Sequence, residues 1–181
     1  MKPINNDSFY KESFSEYKER VSLLFPNWPE CDLENWLYRH YTDAIQEYSW
    51  LKFESVKFKL VNWDIDSIYN DISSYKMKMI DDLGLQIYIR EEKLRSWLQQ
   101  YFHDNKTWPV PIIILDNREI QLSYHGNSYG LPYHLIEGHL RLGYSRNIYR
   151  HEKEVLKETH PVWITLERCK PPRSWGITFV Y

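Results

Sequence analysis

Little in this sequence would staple a fold or hold a metal. Its two cysteines, Cys31 and Cys169, lie far apart and in no CxxC or zinc-ligand spacing. Isolated thiols fit a reducing compartment, so cytoplasmic residence is expected. No run of eighteen apolar residues occurs, so no membrane-spanning helix and no membrane partner are expected. The opening MKPINNDSFYKESF lacks the apolar core of a secretory signal. Neither charge sign dominates: 23 Lys and Arg face 25 Asp and Glu, for a net charge of -2. That balance argues against a dedicated polyanion binder, although it leaves room for a local basic patch. There is no HExxH, no Gly-x-Ser-x-Gly elbow, no internal repeat and no low-complexity tract.

Aromatic side chains are abundant. Eight Trp, fifteen Tyr and seven Phe fall among 181 residues, and 43% of the chain is hydrophobic. A chain of this length can bury a core without metal or disulfide help. The ordinary use of so many rings is a core whose Tyr hydroxyls reach the surface. The sharper use is a stacking platform for bases or sugars.

Hydrophobic periodicity divides the chain near Leu51. Tyr10, Phe14, Tyr17, Val21 and Leu24 recur at helical steps, and the spacing predicts a helix from Ser8 to about Leu24. Pro26 and Pro29 interrupt it. A second helix is expected from Cys31 to Trp50, with Asp32 as N-cap and His40 buried within its apolar stripe. Beyond Leu51 the period changes. Strands are expected over Val56 to Val61, Leu85 to Ile89, Val110 to Leu115, Tyr133 to Ile136 and Pro161 to Leu166, with a return strand over Glu119 to Tyr124 and a last one over Gly176 to Tyr181. Helices are expected over Glu91 to Phe102 and from Gly138 to about Tyr149, with short helical turns within Asp64 to Leu83. The fold class is α+β: a helical extension over 1–51, then a mixed α+β domain over 52–181. Leu94, Trp97, Leu98, Ile112, Ile114, Leu135, Ile136, Leu140 and Ile164 should share one core, and the helical extension should dock on the domain or on a second subunit.

Chemistry concentrates at one turn. The strand Tyr133-His134-Leu135-Ile136 runs into Glu137-Gly138-His139-Leu140-Arg141, which opens a helix. Glycine at such a junction lets the backbone turn sharply and approach a ligand. First-turn amides lack intrahelical partners, and with the helix dipole they favour an anion. Arg141 sits one turn in and can offer a planar pair of donors. Gly138, His139 and Arg141 are therefore the phosphate-binding candidates. Glu137 and His139 are the catalytic candidates, as general base or magnesium anchor. A metal set of His125, His134 and Glu137 is a minor alternative. Arg141, Arg146, Arg150, Lys153 and Lys157, followed by Arg168, Lys170 and Arg173, form either a basic surface or the solvated face of a mixed-charge helix.

The order of elements from Phe53 to Arg168 resembles the ParB/sulfiredoxin-like superfamily. An amphipathic helix, here Glu92-Lys93-Leu94-Arg95-Ser96-Trp97-Leu98, leads to a Pro-Ile-x-Val-type strand, here Val110-Pro111-Ile112-Ile113-Ile114. An apolar strand then ends in a Gly-x-x-Arg turn, here Leu135-Ile136-Glu137-Gly138-His139-Leu140-Arg141. The resemblance implies that Gly138, His139 and Arg141 lie where family members hold nucleotide phosphates, with a nucleoside triphosphate and Mg2+ as the implied cofactor. The departures are specific. His139 stands where sulfiredoxins carry a reactive cysteine, so sulfinate repair is not supported. No helical DNA-binding part of the kind partition proteins carry is expected after this core, and their arginine-rich segment is replaced by Asp64-Ile65-Asp66-Ser67. The Gly-His-x-Arg turn preceded by an acid is closer to free-serine kinases of this fold. Three functions stand at this stage: a nucleotide or phosphate ligand at the turn, with phosphotransfer or hydrolysis; a non-catalytic, antidote-like or regulatory interaction with a protein partner; and association with nucleic acid.

Overall fold

The computed structural model of the chain describes residues 1–4, 12–89, 92–118, 123–124 and 127–165. The strand expected over Gly176 to Tyr181 and part of the Glu119 to Tyr124 return strand lie outside these residues.

The first helix, α1 (Phe14–Val21), begins where Ser13 and Glu16 form a reciprocal capping box: the Ser13 hydroxyl accepts from the Glu16 amide at 3.3 Å and the Glu16 carboxylate accepts from the Ser13 amide at 2.8 Å. The second expected helix is broken. A turn, α2 (Glu30–Asp32), widens into a π-helix (Leu33–Tyr38), and α3 (Tyr41–Tyr48) restarts after Arg39 and His40. The apolar stripe continues across the break, so periodicity does not register it. Asp32 does not cap this segment; Pro29 stands at its start, and Asp32 is only 1% exposed.

Strand β1 (Phe58–Asp64) starts later than expected because it pairs over its whole length with the last strand, from Phe58 opposite Thr165 to Asp64 opposite Thr159. It is an edge strand, and Leu60 is half exposed. Asp64 then caps α4 (Ile65–Asp71) by accepting from the Ser67 amide at 2.8 Å. A short β2 (Ile72–Ser73) precedes α5 (Met77–Gly84). Leu85–Tyr88 is a 3-10 turn rather than a strand. Packing decides this: Ile87 is buried, and the Tyr88 hydroxyl donates to the Asn147 carbonyl at 3.0 Å.

The helix expected from Glu91 is a 3-10 turn (Glu92–Leu94) followed by α6 (Trp97–Asn105). Ser96 and Gln99 form a capping box that starts the helix at Trp97. Strand β3 (Ile112–Asp116), the small pair β4 (Ser123–Tyr124) and β5 (Asn127–Ser128), and β6 (Tyr133–Glu137) lead into α7 (His139–Glu152); β7 (Thr159–Thr165) follows.

These elements make an α+β fold around a five-stranded mixed sheet of order β1-β7-β3-β6-β2. β7 runs parallel to β3 and antiparallel to β1; β6 runs antiparallel to β3 and parallel to β2. Both faces are covered, which is why β3 is a continuous apolar run. Ile112 and Ile114 face α4 to α7, with Leu135 and Val162. Ile113, Leu115 and Ile136 face the N-terminal helices. The single expected core is thus two, because neighbouring strand residues point to opposite faces. Leu98, Leu140 and Ile164 pack at the edge of the first core, Ile136 belongs to the second, and Leu94 and Trp97 are 61% and 70% exposed. The helical extension docks on the sheet through Tyr17, Trp28, Leu33, Trp36, Leu37 and Tyr48. On the opposite face α5 and α7 meet at Gly84 and Gly143: a Cβ on Gly84 would lie 2.2 Å from the Gly143 carbonyl oxygen.

Candidate functional site

The turn between β6 and α7 has the geometry that its glycine requires. Gly138 stands at the N-cap of α7 with φ +102°, in the left-handed region open to glycine. A Cβ there would also meet Ile112 Cγ2 at 2.5 Å. No side chain caps the helix. Its first turn lines a cavity of about 910 Å³, closed on the other side by the π-helix and α3 and at its rim by Lys76, Met79, Trp97 and Leu98. Glu137, Gly138, His139 and Arg141 all lie on the wall of this one cavity.

Arg141 is only 7% exposed and is held by its own protein. Its Nη2 donates to the Glu137 carboxylate, and its Nη1 donates to the carbonyls of Val110 at 2.9 Å and Pro111 at 3.3 Å. Burial pulls the Arg141 pKa down to about 10, opposed by the charges of Asp32 and Cys31, so it stays cationic at neutral pH. Asp32 lies behind it. Burial pushes that carboxyl up to about 7 against the pull of Arg141, and its Oδ1 has no hydrogen-bond partner.

His139 is a neutral base. Burial lowers its pKa to about 4, Lys76 lowers it further and Glu47 opposes. Its Nε2 is buried without a partner among the described residues. Lys76 and Glu47 pair with each other across the rim. His40, expected in the core, is exposed and lines the cavity beside Arg39. Arg39 pairs with Glu34 at 2.7 Å. The whole wall supplied by Glu34, Arg39, His40, Asp43, Glu47 and Tyr48 was missed from sequence. Nothing in the spacing of those residues relates them to a turn ninety residues away.

The other sequence candidates fare as follows. His134 is fully buried with Nδ1 accepting from the Gly130 amide at 3.0 Å, so that nitrogen is not available to a metal; His125 lies outside the described residues. Among the described residues no three His, Cys, Asp or Glu side chains converge as a metal set. On α7, Arg146 and Arg150 both pair with Asp81, at 2.9 and 2.5 Å, and Lys153 pairs with Asp66 at 2.6 Å. Arg168, Lys170 and Arg173 lie outside the described residues. Among those described, no helix is long and apolar enough to cross a membrane.

No family profile, curated protein or solved structure matches the chain.

Proposed function

We propose that the protein binds a nucleotide or another phosphate-bearing ligand in this cavity, with the phosphate against the first turn of α7. One coincidence carries the reading. The uncapped start of a fourteen-residue helix, turned by a left-handed glycine, opens into a cavity large enough for a nucleotide. The Gly-x-x-Arg resemblance to ParB/sulfiredoxin-like proteins supports the same assignment. In a phosphotransfer or hydrolysis reaction, His139 is the better general base of the two candidates, because its Nε2 is unprotonated or free to exchange a proton while Glu137 is committed to Arg141. Mg2+ would arrive with a triphosphate. Cytoplasmic residence belongs to the same reading and rests on Cys31 being a free thiol. Calorimetric titration with ATP, CTP and GTP, each with and without Mg2+, tests it: binding of at least one is expected, and silence across all of them rejects it.

A second reading is favoured by the pairing of Arg141. With its guanidinium held by Glu137 and two carbonyls, the cavity would serve a non-catalytic protein partner, for which the exposed Trp97 at its rim is suited. Nucleic-acid association is the weakest of the three, since Arg146, Arg150 and Lys153 are already paired with carboxylates.

A further inference from the structure

Tyr48 stands on the wall of the cavity, 3% exposed, and its hydroxyl has one hydrogen-bond partner among the described residues, His134. The identity of the donor in that pair can be worked out. His134 is fully buried on β6, its ring stacked 4.3 Å from Tyr129 at an interplanar angle of 13°. The Gly130 backbone N–H points at its Nδ1 from 3.0 Å. An amide donor needs a lone pair, so Nδ1 carries no proton and the ring proton resides on Nε2. Nε2 lies 3.5 Å from the Tyr48 oxygen, so the imidazole donates and the phenol accepts. The phenol proton must then go elsewhere. A buried donor left without an acceptor is destabilising. Burial raises the Tyr48 pKa and keeps that proton on the oxygen, while burial lowers the His134 pKa to about 3 and keeps the ring neutral.

The same wall carries the Nε2 of His139, buried without a partner among the described residues. A phenol proton without an acceptor and an unpartnered imidazole nitrogen thus stand beside the uncapped helix start. We propose that Tyr48 is a ligand-binding residue of this cavity, donating its phenol proton to an oxygen of the bound phosphate-bearing ligand, with Gly130 and His134 as positioning residues that fix which way the hydroxyl donates. This rests on the phosphate reading above and adds to it a polarity: at Tyr48 the site offers a donor and selects an acceptor oxygen over an amino group.

The test compares wild type with Tyr48→Phe, which keeps the ring and its packing. Both are titrated with ATP, CTP and GTP in the presence of Mg2+. The variant should bind the wild type's preferred nucleotide at least tenfold more weakly, with a melting temperature as high as wild type or higher. Equal affinity overturns the proposal and leaves the phosphate reading standing. No binding by wild type to any of the three removes the phosphate reading and this one with it, a different pattern. Two measurements on wild type avoid reliance on the variant. Nitrogen NMR of the histidines should show His134 neutral with its proton on Nε2; a proton on Nδ1, or a charged ring, overturns the argument. The Tyr48 ring carbon bearing the hydroxyl should shift on saturation with the bound nucleotide; a resonance that does not move overturns the contact.

Discussion

The sheet buries mainly isoleucines on one face, beside Phe102, Trp108 and Tyr144, and mainly aromatic rings on the other, beside Ile113 and Ile136. Toward α4 to α7 stand Ile65, Ile68, Ile72, Ile80, Ile87, Ile112 and Ile114; toward the N-terminal helices stand Tyr17, Phe25, Trp28, Trp36, Tyr48, Phe53 and Tyr129. Branched aliphatic side chains have no polar atoms to satisfy, although that face also holds Ser145 Oγ and His160 Nε2, buried without partners among the described residues. Rings carry polar handles. Some are met, as where Trp28 Nε1 donates to the Phe53 carbonyl at 2.7 Å. Another is not: among the described residues the buried Tyr17 hydroxyl has no partner. The cavity opens on the aromatic face. Stiff rings packed at angles leave gaps and hold hydroxyls and imidazoles at their edges, which are the requirements of a binding site.

The sharpest way to break the comparison is to remove a ring. Trp28 touches the rings of Phe25, Trp36, Phe53 and Phe58. Trp28→Ala should cost about 3–5 kcal/mol and release the helical extension. Ile112→Val, on the aliphatic face, should cost only about 0.5–1.5 kcal/mol. Urea unfolding of both checks the pair; a Trp28→Ala loss no larger than that of Ile112→Val would mean that the extension contributes little.

Next comes the buried ion pair at the edge between the faces. Side chains of Arg141 and Glu137 are 9% and 18% exposed. Arg141→Ala leaves a half-buried carboxylate without its cation and should cost about 3–5 kcal/mol. It should also weaken nucleotide binding more than tenfold. A stability loss with no change in binding would assign Arg141 to structure alone, whereas Glu137→Gln should spare binding and lower any turnover in which Glu137 takes part.

Acid acts on both faces with one sign through their buried histidines, and a carboxyl on the cavity side opposes it. His134 and His139, on the cavity side, have pKa values lowered by burial to about 3 and about 4, and His160, on the other face, to about 4. Unfolded, these rings take up protons near 6.5, so their stabilising contribution is present above that value and is lost as pH falls toward 4. Asp32 acts in the opposite direction. Its folded pKa of about 7 lies above the ordinary 3.8, so its contribution is present at pH 4 and is lost as pH rises through 7. Asp32→Asn should therefore gain stability relative to wild type at pH 8, and the gain should vanish by pH 4. Denaturant unfolding at pH 4.5, 6 and 8 reads the trend; a difference independent of pH would show that Asp32 does not titrate as described.

The aliphatic face was largely legible in the sequence and the aromatic face was not. Ile112, Ile114, Leu135 and Val162 announce themselves within apolar strands, and Gly138 marks its turn because glycine suits φ +102°. The helical stripe of Leu33 to Tyr48 was read, but its break at Arg39 and His40 was hidden, because a π-helix keeps apolar residues facing inward while shifting register. That shift is what turns His40 out of the core and onto the cavity wall. Leu94 and Trp97 were assigned to a core on spacing alone; the Ser96 cap starts the helix at Trp97, six residues later than the expected start at Glu91, and both side chains are exposed.

The smallest expected effect concerns the outer surface of α7, beyond either core. Arg150 donates to Asp81 at 2.5 Å and to the Tyr69 hydroxyl at 3.0 Å, and Arg146 reaches the same carboxylate, their guanidinium groups lying 5.7 and 4.6 Å from the Tyr69 ring. Against the upward push of burial, Arg146 and Arg150 together hold Asp81 below the usual carboxylate range, so removing Arg150 leaves Asp81 still paired with Arg146. Its side chain is about a third exposed, where ion pairs are screened. Arg150→Ala should therefore cost no more than about 1 kcal/mol. Because this guanidinium is engaged within the protein, the substitution should also leave retention on duplex DNA and its salt dependence unchanged. If retention falls, and its salt slope drops by about one, Arg150 contacts phosphate and the nucleic-acid reading moves ahead of the other two.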